Sequence, residues 1–302
     1  MLGMEPSMKY KSLLQIGILL FLITCKIDKA GFHPIPEFNA ETNARLESFF
    51  KETKDYPKRK VAVFDGDGTV LGQAPHYMAD ECLYEVAKQK PEKKPDVIKK
   101  MVTLSNVSIE YVQLRVKFFE GDTVESLRDL GVNCYKAHYN GKVFSPMKSL
   151  IQALKQNGFE VWIITASPEA MYQKILSEEL QIPITNIVGV KSIVREGKIT
   201  GEMILPIPQD HGKKEAIETF VQERPLLVGG NSRGDKEMIE YSSNLKLIIN
   251  PDEYVAEDQT ESIAEYARKN NWVIAKVRDV PANDFSYISS KDFNIKKNKT
   301  NE

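Results

Sequence analysis

The segment Lys60-Val-Ala-Val-Phe-Asp65 constrains what this chain can fold into more than any other. A short apolar, β-branched run that ends abruptly in acid and glycine reads as a strand buried on both faces, with a loop at its carboxyl end. The same pattern recurs at Glu160–Thr165, Pro225–Gly229, Leu245–Ile249 and Trp272–Val277. Between these runs the apolar spacing becomes helical: Asn39 to Lys54 puts Leu46, Phe49 and Phe50 on one face, and Pro146 to Asn157 is stopped by Gly158. Pro168–Glu179, Lys213–Gln222 and Ser262–Asn270 read as further helices, and Ile187–Leu205, with Gly197 and Gly201, as a hairpin. Alternating strands and helices predict an α/β fold, a Rossmann-like, mostly parallel sheet with helices on both faces. Tyr77 to Val132 is largely helical, broken at Pro91 and Pro95, and has no strand pattern. It predicts a small helical cap (76–144) inserted after the first strand of a core formed by 38–75 and 145–285. The Lys-rich stretch 286–302 is expected to be disordered.

The amino-terminal region reads as an address. Met8-Lys9-Tyr10-Lys11 is basic and Ser12 to Thr24 is almost wholly apolar. That run is shorter than the ~20 residues a membrane span needs and has the length of a signal-peptide core. Leu22-Ile23-Thr24-Cys25 resembles a bacterial lipobox. The resemblance implies a leader over 1–25, a lipid anchor to the membrane through Cys25, a tether over 26–37, and export to the periplasm or cell envelope. An oxidising compartment would allow Cys82 and Cys134 to pair. Three cysteines with no CxxC pair argue against a zinc–cysteine site. Lys+Arg at 41 against Asp+Glu at 42 gives a net charge of −1, which supplies no field for nucleic acid.

In open α/β sheets ligands bind beyond the carboxyl ends of the strands. Here those ends read Asp65-Gly66-Asp67-Gly68-Thr69, then Thr165-Ala166-Ser167, then Gly229-Gly230-Asn231-Ser232-Arg233-Gly234-Asp235. Gly212-Lys213-Lys214 opens a helix before the third strand. An EF-hand starting at Asp65 would need Gly and Glu where Val70 and His76 stand. No G-x-G-x-x-G follows a strand, so a dinucleotide fingerprint is absent. The Arg233-Gly234-Asp235 triplet is a chance match to an integrin-type motif within the third segment.

Asp-x-Asp-x-Thr, Thr, Lys and Gly-Asn-Ser-x-x-Asp, in that order, resemble the haloacid dehalogenase superfamily, in its phosphoserine-phosphatase-like branch. The resemblance covers about Lys60 to Asn250. It implies an aspartyl-phosphate mechanism with Asp65 as nucleophile and Asp67 as general acid and base. Thr165, Ala166, Lys213 and Gly66 would bind phosphate, and Asp65, Asp67, Asn231 and Asp235 would hold Mg²⁺. Gly212-Lys213-x-x-Ala216-Ile217 is similar to the family's spacing, which implies Lys213 rather than Lys214. The charge logic is independent of the resemblance: a phosphate monoester is a dianion, and an anionic attacker needs that charge offset. Asn231 departs from the usual Asp, which keeps open an exported ligand-binding lipoprotein without turnover; phosphotransfer to an acceptor other than water is a third option.

The expected substrate is a small phosphorylated metabolite. Arg115 falls where the branch binds a substrate carboxylate, implying a phosphoserine-like ligand, but the branch's early Glu is missing from Leu71–Tyr77. His76 and Tyr77, with Tyr111, Phe118 and Phe119, are an alternative aromatic box for a phosphocholine- or phosphoethanolamine-like amine. Asp80, Glu81 and Glu85 read as a solvated helix face.

Overall fold

Alternate side chains of β1 (Lys60–Phe64) enter two separate cores. Val61 and Val63 join one apolar cluster with Ile164, Val228 and Ile248, while Ala62 and Phe64 join another with Ile163, Leu227 and Leu247. A period of two with both faces apolar is what a strand covered by helices on each side requires. The computed structural model describes residues 32–257 and 259–301. Among them the remaining strands are β2 (Phe159–Pro168), β3 (Ile187–Arg195), β4 (Lys198–Ile204), β5 (Leu227–Gly230), β6 (Leu245–Ile249) and β7 (Val273–Ala275). They form a seven-stranded sheet in the order β4-β3-β2-β1-β5-β6-β7, parallel throughout except for the β3–β4 hairpin. β1 pairs with β2 (Phe64 opposite Ile163) and with β5 (Phe64 opposite Gly229). The chain therefore builds outward from β1 first on one side and then on the other, and the crevice lies at the carboxyl end of β1.

Helices α1 (Ala40–Glu52), α6 (Ser145–Gln156), α7 (Glu169–Leu180), α8 (His211–Ala216), α9 (Lys236–Glu240) and α10 (Ile263–Lys269) belong to the sheet-bearing part of the chain. Asn39 accepts from the Thr42 amide at the start of α1, and Ser262 from the Glu265 amide at α10. The insertion after β1 holds α2 (Met78–Gln89), α3 (Pro95–Met101), α4 (Ile109–Phe118) and α5 (Val124–Cys134). Pro95 opens α3, where its missing N–H costs nothing, and Thr123 with Ser126 forms a capping box on α5. Cys82 of α2 and Cys134 of α5 are joined by a disulfide.

Three expectations are corrected here. Residues 286–302, expected to be disordered, carry α11 (Ile288–Asp292). Buried Glu81 accepts from the Ile288 amide (2.7 Å), the Ser289 amide (3.1 Å) and the Ser289 hydroxyl (2.6 Å), and Phe293 stacks on Tyr84. A few apolar anchors and one buried carboxylate outweigh the Lys-rich composition. Asp80 and Glu81 are accordingly buried rather than on a solvated face, while Glu85 is part-exposed. The end of the expected tether is docked: Ile35 is buried and Phe32 stacks on Phe50. The leader, Cys25 included, lies outside the described residues. Among the described residues no helix is long and apolar enough to cross a membrane.

The Cys82–Cys134 bond spans 52 residues of sequence, a loop whose closure constrains the unfolded chain by about 4 kcal/mol. A Cys82→Ser/Cys134→Ser variant is expected to lose stability of that order in urea unfolding; a loss below about 1 kcal/mol would contradict it.

Candidate active site

The loop after β1 turns back on itself at once. The Gly66 carbonyl accepts from the amides of Thr69, Val70 and Leu71 at 3.3, 3.0 and 3.0 Å, which brings Asp65 and Asp67 to the mouth of the sheet. Gly66 lies against the Thr165 hydroxyl: a Cβ there would sit 3.0 Å from Thr165 Oγ1. At Gly68, φ is +80° and a Cβ would lie 2.2 Å from the Asn231 side chain and 2.7 Å from that of Gln73. Only glycine allows both amide side chains to close over this loop.

The centre is a buried ammonium between two carboxylates. Lys213 Nζ donates to Asp65 Oδ1 at 2.7 Å and to Asp235 Oδ1 at 2.5 Å, and all three side chains are buried. Asp235 Oδ2 also accepts from the Asn231 amide (3.0 Å), the Ser232 amide (2.9 Å) and the Ser232 hydroxyl (3.0 Å). Burial, with the Asp235 charge adding to it, pushes the Asp65 carboxyl up to about 7, although Lys213 opposes the shift. Burial works against Asp235 as well, but Lys213 outweighs it and holds that carboxyl below the usual range. Lys213 would be lowered by burial; the two carboxylates reverse this and hold it above its ordinary value. Asp67 accepts from the Ser167 hydroxyl (2.8 Å) and the Tyr172 hydroxyl (2.8 and 3.0 Å). Burial still pushes it up to about 6 against those donors.

Asn231 completes the corner. With its amide nitrogen turned inward, it donates to Asp65 Oδ2 (3.2 Å), the Asp67 carbonyl (3.2 Å) and Asp235 Oδ2 (3.3 Å), while its oxygen accepts from Gln73 Nε2 (3.2 Å). Three oxygens thus face one point. Asp65, Asp67 and Asp235 share this buried region with the single ammonium of Lys213, a deficit that a divalent cation would offset. Among the described residues no group of three or more His, Cys, Asp or Glu is placed to hold a metal. The donor set here is instead two carboxylates, a backbone carbonyl and an amide, which are hard oxygens of the kind Mg²⁺ accepts.

The structure brings Asp65, Gly66, Asp67, Thr165, Lys213, Asn231 and Asp235 together, and Ala166 lies between Thr165 and Ser167 at the end of β2. Lys214 points elsewhere, to Glu218. The Arg-Gly-Asp triplet forms a short turn whose Asp235 is buried, so it presents no surface motif. Arg115 is buried, with Nε 2.7 Å from Asp80 Oδ1. Burial would lower Arg115, and Asp80 more than offsets this. Tyr111 donates to the same Asp80 oxygen (3.1 Å), which leaves Asp80 Oδ2 buried and unpartnered.

The expected aromatic box does not assemble. Arg115 itself occupies the faces of Tyr77 (5.4 Å) and Tyr111 (4.9 Å), Phe118 and Phe119 lie under Lys93, and His76 packs on Tyr287. Two cations of the protein itself, Arg115 and Lys93, lie over four of these rings. Sequence reasoning missed the roles of Ser167, Tyr172, Asp80 and Gln73. Ser167 had a signal, being two residues beyond Thr165 at a strand end; the others are placed by tertiary packing alone.

Residues 62–240 match the model of the haloacid dehalogenase-like hydrolase family. The phosphoserine phosphatase SerB1 of Mycobacterium tuberculosis is 25% identical over 166 residues, which are 53% of this chain and 50% of that protein. The chain spans about half the length of the curated relatives it matches. Solved structures of similar fold include a protein of unknown function from Anaerococcus prevotii, with TM-score 0.59, 15% identity, and coverage of 78% of this chain and 91% of that one. Another, from Bordetella pertussis, has TM-score 0.56, 13% identity, and coverage of 72% and 98%.

His76 is buried with neither ring nitrogen partnered, and burial lowers its pKa. The folded state therefore takes up this proton at lower pH than the unfolded chain does. Its contribution to stability is present above the unfolded value of about 6.5 and is lost as pH falls below it. Urea unfolding from pH 8 to pH 5 is expected to show a smaller loss of stability for His76→Phe than for the wild type. Equal slopes would refute this.

Proposed function

Because the chain belongs to the haloacid dehalogenase-like hydrolases, we propose that it is a Mg²⁺-dependent phosphatase that hydrolyses a small phosphomonoester through an aspartyl-phosphate on Asp65. The observation that carries this reading is the convergence of Asp65 and Asp235 on the Lys213 ammonium, from three separate parts of the sequence, with Asp67 alongside. Asp65 Oδ1 and Oδ2 have different partners, Lys213 and Asn231 respectively. One oxygen attacks phosphorus as the bond to the leaving oxygen breaks, and the Asp67 carboxyl gives that oxygen its proton. Water then attacks phosphorus and passes a proton to Asp67, and the Asp65–phosphorus bond breaks to release phosphate. Ser167 and Tyr172 hold Asp67 in place for both transfers. Lys213, the Thr165 hydroxyl and the amides of Gly66 and Ala166 stabilise the charge spread over the phosphoryl oxygens. Mg²⁺, held by Asp65, the Asp67 carbonyl, Asn231 and Asp235, would supply the positive charge that lets a carboxylate approach a dianion.

In this reading the free, buried Asp80 Oδ2, whose charge acts on Asp67, favours a substrate with an N–H-bearing ammonium. Such a group could donate to it, as phosphoethanolamine or phosphoserine would; the trimethylammonium of phosphocholine has no N–H. The Cys82–Cys134 disulfide supports placing the protein in an oxidising, extracytoplasmic compartment. Membrane attachment through Cys25 belongs to the same proposal.

With para-nitrophenyl phosphate and Mg²⁺, Asp65→Asn is expected to abolish phosphate release and Asp67→Asn to lower kcat by roughly 10²–10⁴-fold. EDTA should stop turnover and added Mg²⁺ restore it. Release by Asp65→Asn at the wild-type rate would overturn the mechanism, and ligand binding without any release would favour a non-catalytic binder. Phosphoethanolamine should exceed ethyl phosphate in kcat/KM by about 10- to 100-fold, the worth of one hydrogen bond to a charged group.

A further inference from the structure

We propose that Gln73 is a positioning residue for the metal, the partner that lets an amide stand where the family usually has a carboxylate. The proposal rests on the reading of Asp65, Asp67, Asn231 and Asp235 as the Mg²⁺ corner. A carboxylate at 231 would present an oxygen whichever way it turned. An amide presents an oxygen in only one of two orientations, so its other end has to be held.

With its NH₂ turned inward, the Asn231 amide satisfies the oxygens of Asp65, Asp67 and Asp235, and its carbonyl accepts from Gln73 Nε2. The NH₂ donates where a cation would otherwise satisfy those oxygens. To ligate, the amide must turn over, directing its oxygen inward and its NH₂ at residue 73. That NH₂ then needs an acceptor. Gln73 carries one: by turning its own amide it offers Oε1 where it offered Nε2. The two amides reverse together, and each orientation leaves the contact between them satisfied. The Thr69 hydroxyl, 3.4 Å from the inward end of Asn231, can donate or accept and so suits both orientations.

Gln73 is held for this task through its backbone. Its amide donates to Asp279 Oδ2 (2.9 Å) and its carbonyl accepts from Asn298 Nδ2 (2.9 Å). Its side chain packs over Gly68, where a Cβ would lie 2.7 Å from Gln73 Cδ. The stretch 279–301 therefore fixes residue 73, and residue 73 fixes the direction of the Asn231 amide.

The test is Mn²⁺ binding by electron paramagnetic resonance on the full chain, checked with Mg²⁺ by calorimetry, so that the readout is affinity and not turnover. Gln73→Ala keeps both backbone contacts and should weaken Mn²⁺ binding by roughly 10-fold or more, as loss of a ligand's supporting partner does. Gln73→Glu can only accept, so it holds Asn231 in the ligating orientation and should bind at least as tightly as the wild type. In an Asn231→Asp background, Gln73→Ala should change affinity by less than about twofold, since no amide remains to be oriented. Wild-type affinity in Gln73→Ala, an equal loss in Gln73→Glu, or the same loss in the Asn231→Asp background would overturn the proposal. If the wild-type chain bound neither ion, the metal reading itself would fall. Unfolding curves for each variant separate loss of fold from loss of affinity.

Discussion

One ammonium, that of Lys213, sits between two carboxylates in the interior, and the site is organised around it. Asp65 ends β1, Asp235 follows β5, and Lys213 comes from the first turn of α8. A buried ion pair gives little net stability, because desolvation offsets most of the Coulomb gain. Breaking one from a single side is costly, since it strands the remaining charge. The arrangement is therefore better understood as a constraint on position than as a source of stability. It fixes which oxygen of Asp65 is engaged and which is turned toward Asn231. It also leaves the corner short of positive charge, which suits a cation and an anionic ligand arriving together.

The part of the chain between the first two strands is tied down more firmly than a simple insertion would be. The chain enters it through residues 71–76 and returns through 139–144. Asp279 accepts from the Gln73 and Ala74 amides on the entering side, and it pairs with Lys142 on the returning side. Lys142 also donates to the Ala74 and Val280 carbonyls at 3.0 and 2.6 Å. One carboxylate beyond β7 thus bridges both connections, while the Cys82–Cys134 bond links α2 to α5. A pocket built on such a scaffold is held in shape by covalent and charged ties as well as by packing.

Much of this was legible in the sequence, for a physical reason. A strand buried on both faces must be apolar throughout, so β1, β2, β5 and β6 stand out, and the loops at their carboxyl ends are where polar residues become informative. Asp65, Asp67, Thr165 and Asp235 could be read for that reason, and Lys213 from the family-like pattern Gly212-Lys213-x-x-Ala216-Ile217 at a helix start. The burial of Asp80 and Glu81 could not, because a carboxylate on an amphipathic helix looks solvated until its partner is known. Those partners, Arg115 at 35 residues and Ser289 at 208 residues away in sequence, follow no local period. The order of 286–302 was hidden in the same way, by composition that masks a few well-placed anchors. The cysteines could be read only as able to pair.

Arg115 shows how the same residue can be recognised and its surroundings misjudged. Its identity pointed to an anionic group on the substrate, and the nearby rings to a cationic one. In the fold the guanidinium takes the faces of Tyr77 and Tyr111 and satisfies one oxygen of Asp80, while Lys93 lies over Phe118 and Phe119. The Asp80–Arg115 pair is then neutral as a unit, so under the proposed function it would discriminate among ligands by hydrogen-bonding capacity more than by net charge. The feature left open is an acceptor, Asp80 Oδ2, buried and without a donor. An unsatisfied buried acceptor costs about 1–3 kcal/mol, and a group that brings an N–H or O–H removes that cost. On the proposed function, recognition at this end would be set by what the protein leaves unbonded, as the proposed metal corner would be set by the amide that stands in for a carboxylate.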